Sequence, residues 1–128
     1  MSFGVLVLLV VVSLVSLFFI QTKKNEFDNV VYTLYRQSAR YALAADQDEE
    51  EIIRVLHANY ATGYLWAIKD IVTGEDFKRI TGEDLLAFEN TIVKIQDKST
   101  LLLLEKCKNA IPKQDMTLLK AVYAKAKA

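Results

Sequence analysis

Residues Phe3 to Ile20 carry no charge and are apolar apart from Gly4, Ser13 and Ser16. Lys23 and Lys24 follow at once. At about 1.5 Å per helical residue these 18 positions reach roughly 27 Å, close to the hydrocarbon thickness of a bilayer. The pattern then changes. Phe27, Val30, Val31, Leu34, Tyr35, Tyr41 and Ala42 recur mostly three or four positions apart, as one stripe of an amphipathic helix requires. The polar stretch Gln21 to Asn25 contains no proline or glycine, so the apolar helix is expected to run on, or nearly on, into this second stripe.

A third stripe, Ile52, Ile53, Leu56, Tyr60, Tyr64, Ala67, Ile68 and Ile71, follows an acidic cluster at Asp46, Asp48, Glu49, Glu50 and Glu51. Asp46 or Asp48 is expected to cap that helix, with the glutamates in its first turn where the helix dipole favours negative charge. Small Ala61 and Gly63 beside large Tyr60, Tyr64 and Trp66 suggest a close helix crossing and the tightest part of the core. Thr73-Gly74-Glu75-Asp76 and Thr81-Gly82-Glu83-Asp84 repeat the same four residues, read as two consecutive caps around a short turn bearing Phe77 and Ile80. Gly82 can also close that turn in the left-handed conformation. A long helix is expected from about Glu83 to Asn109, its stripe (Leu85, Phe88, Ile92, Ile95, Leu102, Leu103) interrupted by Gln96, Ser99 and Thr100. Leu101 to Leu104 would cover all sides of its end, which is then either buried all round or presented to a partner. Pro112 stops this helix, and Asp115 can cap a last short one carrying Met116, Leu119, Val122 and Tyr123.

The expected fold is therefore all-α: a single N-terminal transmembrane helix, then a compact helical bundle of about four helices. Its divisions are an anchor with basic flank (1–24), a helical domain (25–111) and a C-terminal short helix with a basic tail (112–128). Phe3, Leu9, Leu14, Phe18 and Ile20 represent the anchor, with Lys23 and Lys24 at its boundary. No basic residue precedes the apolar run, and Phe18 to Thr22 offers no small-x-small cleavage site, so an uncleaved anchor is favoured over a signal peptide. The positive-inside tendency puts the C-terminal domain on the cytosolic side, with Arg36 and Arg40 adding weight.

Sixteen basic and sixteen acidic residues balance, which argues against nucleic-acid binding by bulk electrostatics. The acidic cluster and the basic end (Lys106, Lys108, Lys113, Lys120, Lys125, Lys127) read as helix-end chemistry plus a solvated face. Cys107 is the only cysteine, which fits a reducing compartment, and it reads as a buried inert thiol. His57 is the only histidine, without metal-ligand spacing, and reads as locally hydrogen-bonded. No catalytic set, cofactor site, metal site or small-molecule substrate is expected. Asn59, Tyr60, Tyr64 and Trp66 suit either a helical core or a partner interface, the core being favoured. Leu101, Leu104 and Tyr123 are further core or contact candidates.

The run His57-Ala58-Asn59-Tyr60-Ala61-Thr62-Gly63-Tyr64-Leu65-Trp66-Ala67-Ile68-Lys69-Asp70-Ile71 resembles a small membrane-anchored family of nucleocytoplasmic large DNA viruses, of the chlorovirus and mimivirus kind. The resemblance extends to Arg36-Gln37-Ser38-Ala39-Arg40, Asp46 to Asp48, Thr81-Gly82 and Ile95-Gln96-Asp97-Lys98-Ser99-Thr100, and covers roughly Arg36 to Cys107. It implies a structural protein, a minor capsid component tethering the internal virion membrane (derived from host endoplasmic reticulum) to capsid or scaffold proteins. It brings no functional residues to carry over. The alternatives are an accessory single-span subunit of a membrane-bound enzyme complex, a membrane-bound enzyme or ligand-binding protein using His57, Asn59 and Cys107, and a secreted domain beginning near Thr22.

Overall fold

The structure, a computed structural model, describes residues 2–107. All regular structure among them is helical: α1 (Phe3–Gln47), α2 (Glu51–Ile71), α3 (Gly74–Thr81) and α4 (Leu85–Lys106). The expected short helix after Pro112 lies outside the described residues, as do Tyr123 and the basic tail.

The 45 residues of α1 form one helix about 67 Å long. It passes through Gln21 to Asn25 without interruption, so the polar stretch is not a break. Every residue from Phe3 to Phe27 is exposed. The hydroxyls in this part are satisfied within the helix. Ser13 and Ser16 donate to the carbonyls of Leu9 and Val12 (both 2.8 Å), and Thr22 donates to that of Phe18 (3.0 Å). From Val31 onward one face is buried, through Val31, Ser38, Ala42 and Ala45.

Helix α2 returns along that face. Ala58, Ala61, Leu65 and Ile68 are buried, and the Ser38 hydroxyl donates to the Ala61 carbonyl across the crossing (2.8 Å). The close approach therefore belongs to Ser38, Ala42 and Ala61. Gly63 takes no part in it: a Cβ built there meets nothing within 4 Å. The turn between the helices is fastened by Arg54, whose guanidinium donates to the Asp48 carbonyl (Nε, 3.0 Å). His57 Nδ1 lies 2.7 Å from the Asp48 carboxylate.

The acidic cluster does not cap α2 as expected. The N-cap is Glu50, without a side-chain hydrogen bond, and Asp48 instead ends α1. The cluster's carboxylates reach across the fold. Asp46 pairs with Lys98 (2.8 Å) and Glu51 with Lys106.

Helix α3 starts at the Thr73 cap, whose hydroxyl accepts from the Asp76 amide (3.2 Å), and ends at Gly82 in the left-handed region (φ 83°). The second Thr-Gly-Glu-Asp does not repeat this role. Thr81 is the last residue of α3, and Asp84 caps α4 by accepting from the Ala87 amide (2.9 Å). Phe77 is fully buried, its ring 5.7 Å from both Tyr35 and Phe88. Arg79 clamps α3 to α1 with two bonds to Asp28 (2.7 and 2.9 Å). The Tyr35 hydroxyl donates to Glu83 (2.6 Å), and that bond, with partial burial, pushes the phenol up to about 12.

Helix α4 buries Phe88, Ile92 and Ser99. Ser99 is thus a core position, not an interruption; its hydroxyl donates to the Ile95 carbonyl (2.7 Å) and leaves nothing unsatisfied. Cys107 ends α4 and is exposed, contrary to the expected buried thiol.

Two substitutions on α2 separate its tight face from its open one. Ala61→Leu forces a larger side chain into the crossing and is expected to cost about 1–3 kcal/mol. Gly63→Ala meets no neighbour and removes a helix-interior glycine, which should stabilise by about 1 kcal/mol. Denaturation of the full chain in micelles reads both. Equal effects at the two positions would mean that the crossing lies elsewhere.

The ion pairs set an acid limit. The Arg79 guanidinium holds Asp28 below the usual carboxylate range, and Lys98 and Lys106 do the same for Asp46 and Glu51. Lowered folded values favour the ionised form, so this contribution is complete above the ordinary values of 3.8 and 4.5 and is lost as pH falls through the folded ones. The triple variant Asp28→Asn, Asp46→Asn, Glu51→Gln should melt below the parent at pH 7 and converge with it toward pH 2. A gap that stays constant across that range would assign the difference to another cause.

Candidate docking surface

With α4 against one side of the α1–α2 pair, no other described element covers the opposite side. Leu34 and Tyr41 of α1 and Asn59, Tyr60, Gly63, Tyr64 and Ala67 of α2 line a cleft there of about 530 Å³. Its floor is aromatic. Tyr41 stacks on Tyr64 with rings 5.9 Å apart and 7° from parallel, and meets Tyr60 edge-on at 5.3 Å. Rings so arranged gain by their quadrupoles beyond simple burial. Tyr60 remains 47% exposed, so a floor of this kind still offers apolar area to a partner.

The sequence favours Tyr60, Tyr64 and Trp66 as core over interface, and none of the three is fully buried. Tyr60 and Trp66 are exposed and Tyr64 is half-buried, while the interior of α2 is supplied by the smaller or aliphatic Ala58, Ala61, Thr62, Leu65 and Ile68. The reason is geometric. Two helices that approach closely at small residues push bulky side chains to the flanks of the contact. Tyr60 and Tyr64 go to the open flank. Trp66 goes outward on another side, where the Lys69 ammonium sits 4.5 Å from its ring and also binds Glu89 (2.5 Å). Asn59 accepts from the Gln96 side chain (2.9 Å), tying α2 to α4.

Leu101 is exposed and Leu104 half-buried, so the leucine block is divided between the core side and solvent. The anchor residues Phe3, Leu9, Leu14, Phe18, Ile20, Lys23 and Lys24 all lie exposed along the first half of α1, which is long and apolar enough to cross a membrane. Among the described residues no three His, Cys, Asp or Glu side chains gather as a metal site would need. The Asp48–His57 pair sits beside the turn and Tyr41, and among the described residues no hydroxyl or thiol is hydrogen-bonded to the ring.

The sequence signals that missed this surface concern Ile53, Leu56 and Ile71. These extend the open flank at the spacing of one helical stripe, and each is exposed. Their periodicity is that of a buried face, but α4 packs on another side of α2 and no other described element covers them. Comparison with protein-family models, with curated proteins and with solved structures finds no match.

Proposed function

We propose that the chain is a membrane-anchored structural protein, a minor capsid component of a large DNA virus that tethers the internal virion membrane to capsid or scaffold proteins. The observation that carries this reading is the continuity of α1. The segment suited to a bilayer and the helix on which α2, α3 and α4 pack are one unbroken helix. A domain held this way has no hinge at the membrane surface. Its orientation is fixed by the helix itself, as a spacer between a membrane and a shell requires.

In this reading Phe3 to Ile20 span the membrane, and Lys23 and Lys24 hold the boundary on the side of the domain. The domain faces the cytosol during assembly and acts as a compact bundle without substrate, cofactor or nucleic acid. Trp66 and Leu101, both exposed, are the contact candidates among the described residues. Many copies in one membrane would add weak contacts through avidity. The viral setting rests on the resemblance read over Arg36 to Cys107.

Crosslinking mass spectrometry on the intact source particle or membrane tests the proposal through Lys69, Lys94, Lys98 and Lys106. Reproducible links to capsid or scaffold proteins are the expected outcome. Links confined to subunits of a membrane-bound enzyme complex would replace the tether with an accessory subunit.

A further inference from the structure

Helix α2 has two apolar faces, and the described residues cover only one. Ile53, Leu56, Tyr60, Tyr64, Ala67 and Ile71 recur every three or four residues along the flank opposite the Lys69–Glu89 pair. Ile53, Leu56, Tyr60 and Ile71 are each between 41% and 47% exposed. A helix apolar on so much of its circumference belongs inside a protein. Lipid cannot cover this face in the proposed setting. Tyr41, in the middle of the cleft, is 21 residues beyond Ile20, about 31 Å along α1.

The chain carries a segment that fits. Beyond Cys107 it continues for 21 residues, Lys108 to Ala128. It departs beside the start of α2, where Lys106 pairs with Glu51. Met116, Leu119, Val122 and Tyr123 place apolar groups three, three and one residues apart, one face of a short helix that Asp115 can cap. The seven residues from Lys108 to Gln114 can extend up to about 23 Å, roughly two helix diameters, enough to round the α1–α2 turn to its open side. Charge favours that route. The connection from Lys108 to Gln114 carries Lys108 and Lys113 and no acid. The turn carries Glu49 and Glu50, which form no ion pair among the described residues.

We propose that residues 115–123 dock in the α1–α2 cleft of their own chain, with the apolar stripe on Tyr41, Tyr60 and Tyr64 and with Lys108 and Lys113 beside the acidic turn. The segment then runs parallel to α2 and closes the flank that α4 leaves open. Tyr60 and Tyr64 become interior residues. The surface left to neighbours is the side bearing Trp66 and Leu101. This docking is independent of which particle or membrane carries the protein.

A photoreactive benzoyl-phenylalanine replacing Tyr60 in the full chain tests it, the chain being held in detergent micelles. The expected product is a crosslink within one chain to a peptide spanning 114–125, abolished by Leu119→Asp with Val122→Asp. Crosslinks between two copies, or none to residues beyond Cys107, would overturn it. Hydrogen exchange on the unmodified chain gives a second reading that does not depend on the probe. Amides of 116–123 should exchange at least about tenfold more slowly than in the Leu119→Asp, Val122→Asp variant, with protection of Leu65 and Ile68 unchanged. Equal exchange in the two chains would also overturn the proposal.

Discussion

The close crossing of α1 and α2 is the contact from which the rest of the domain follows. Ser38 and Ala42 meet Ala58 and Ala61, and the smallness of all four lets the backbones come near enough for a serine hydroxyl to reach a carbonyl of the facing helix (2.8 Å). That bond leaves no buried polar atom behind, which matters because an unsatisfied hydroxyl would cost about 1–3 kcal/mol. Bulk excluded from the crossing collects on its two flanks. On one flank Leu65, Ile68, Phe88 and Ile92 form the core with Phe77. On the other the tyrosines form the cleft. The core and the candidate docking surface are thus two consequences of one set of small side chains.

Continuity of α1 couples this domain to whatever holds its N-terminal half. In hydrocarbon a backbone group without a partner is strongly unfavourable, and a helix answers that within its own segment. Ser13 and Ser16 return their hydroxyls to carbonyls one turn back, so neither hydroxyl is left without a partner. The same ladder of bonds then runs on through Lys23 and Lys24 into the residues that pack on α2. Proline and glycine, the usual causes of a helix kink, are absent between Val5 and Thr62.

Much of the helical pattern was legible in the sequence, because apolar residues at three- and four-residue spacing report a helix whatever it packs against. The Thr73 cap and the left-handed Gly82 were legible for the same local reason. What failed was what depends on the neighbour. Thr81 and Asp84 are both good caps, and only the register set by Phe77 and Phe88 in one core decides that α4 begins after Asp84. Ser99 looked like an interruption because hydropathy counts its hydroxyl as polar, although bonding to Ile95 hides it. Tyr60 and Trp66 looked like core because a helical stripe says that a face is apolar without saying which face a partner covers. The acidic cluster looked like capping because its partners lie far along the chain, Lys98 being 52 residues from Asp46.

Those distant ion pairs join different elements: Asp28 to Arg79, Lys69 to Glu89, Asp46 to Lys98, Glu51 to Lys106. Exposed pairs of this kind add little stability, and salt screens them. Their distribution suits another role. Lys69–Glu89 lies toward the lower end of the α2–α4 contact and Glu51–Lys106 at its upper end. A slip of α4 by one turn, about 5.4 Å, would break both at once. The apolar core alone tolerates such a slip poorly but does not forbid it, since leucines and isoleucines replace one another at modest cost. Charges at both ends make the register of α4 on α2 specific, and α2 is already fixed on α1 by the Ser38–Ala61 bond. Orientation therefore passes from the apolar half of α1 to the far end of α4 through two registered contacts, with the aromatic flank left free of that task.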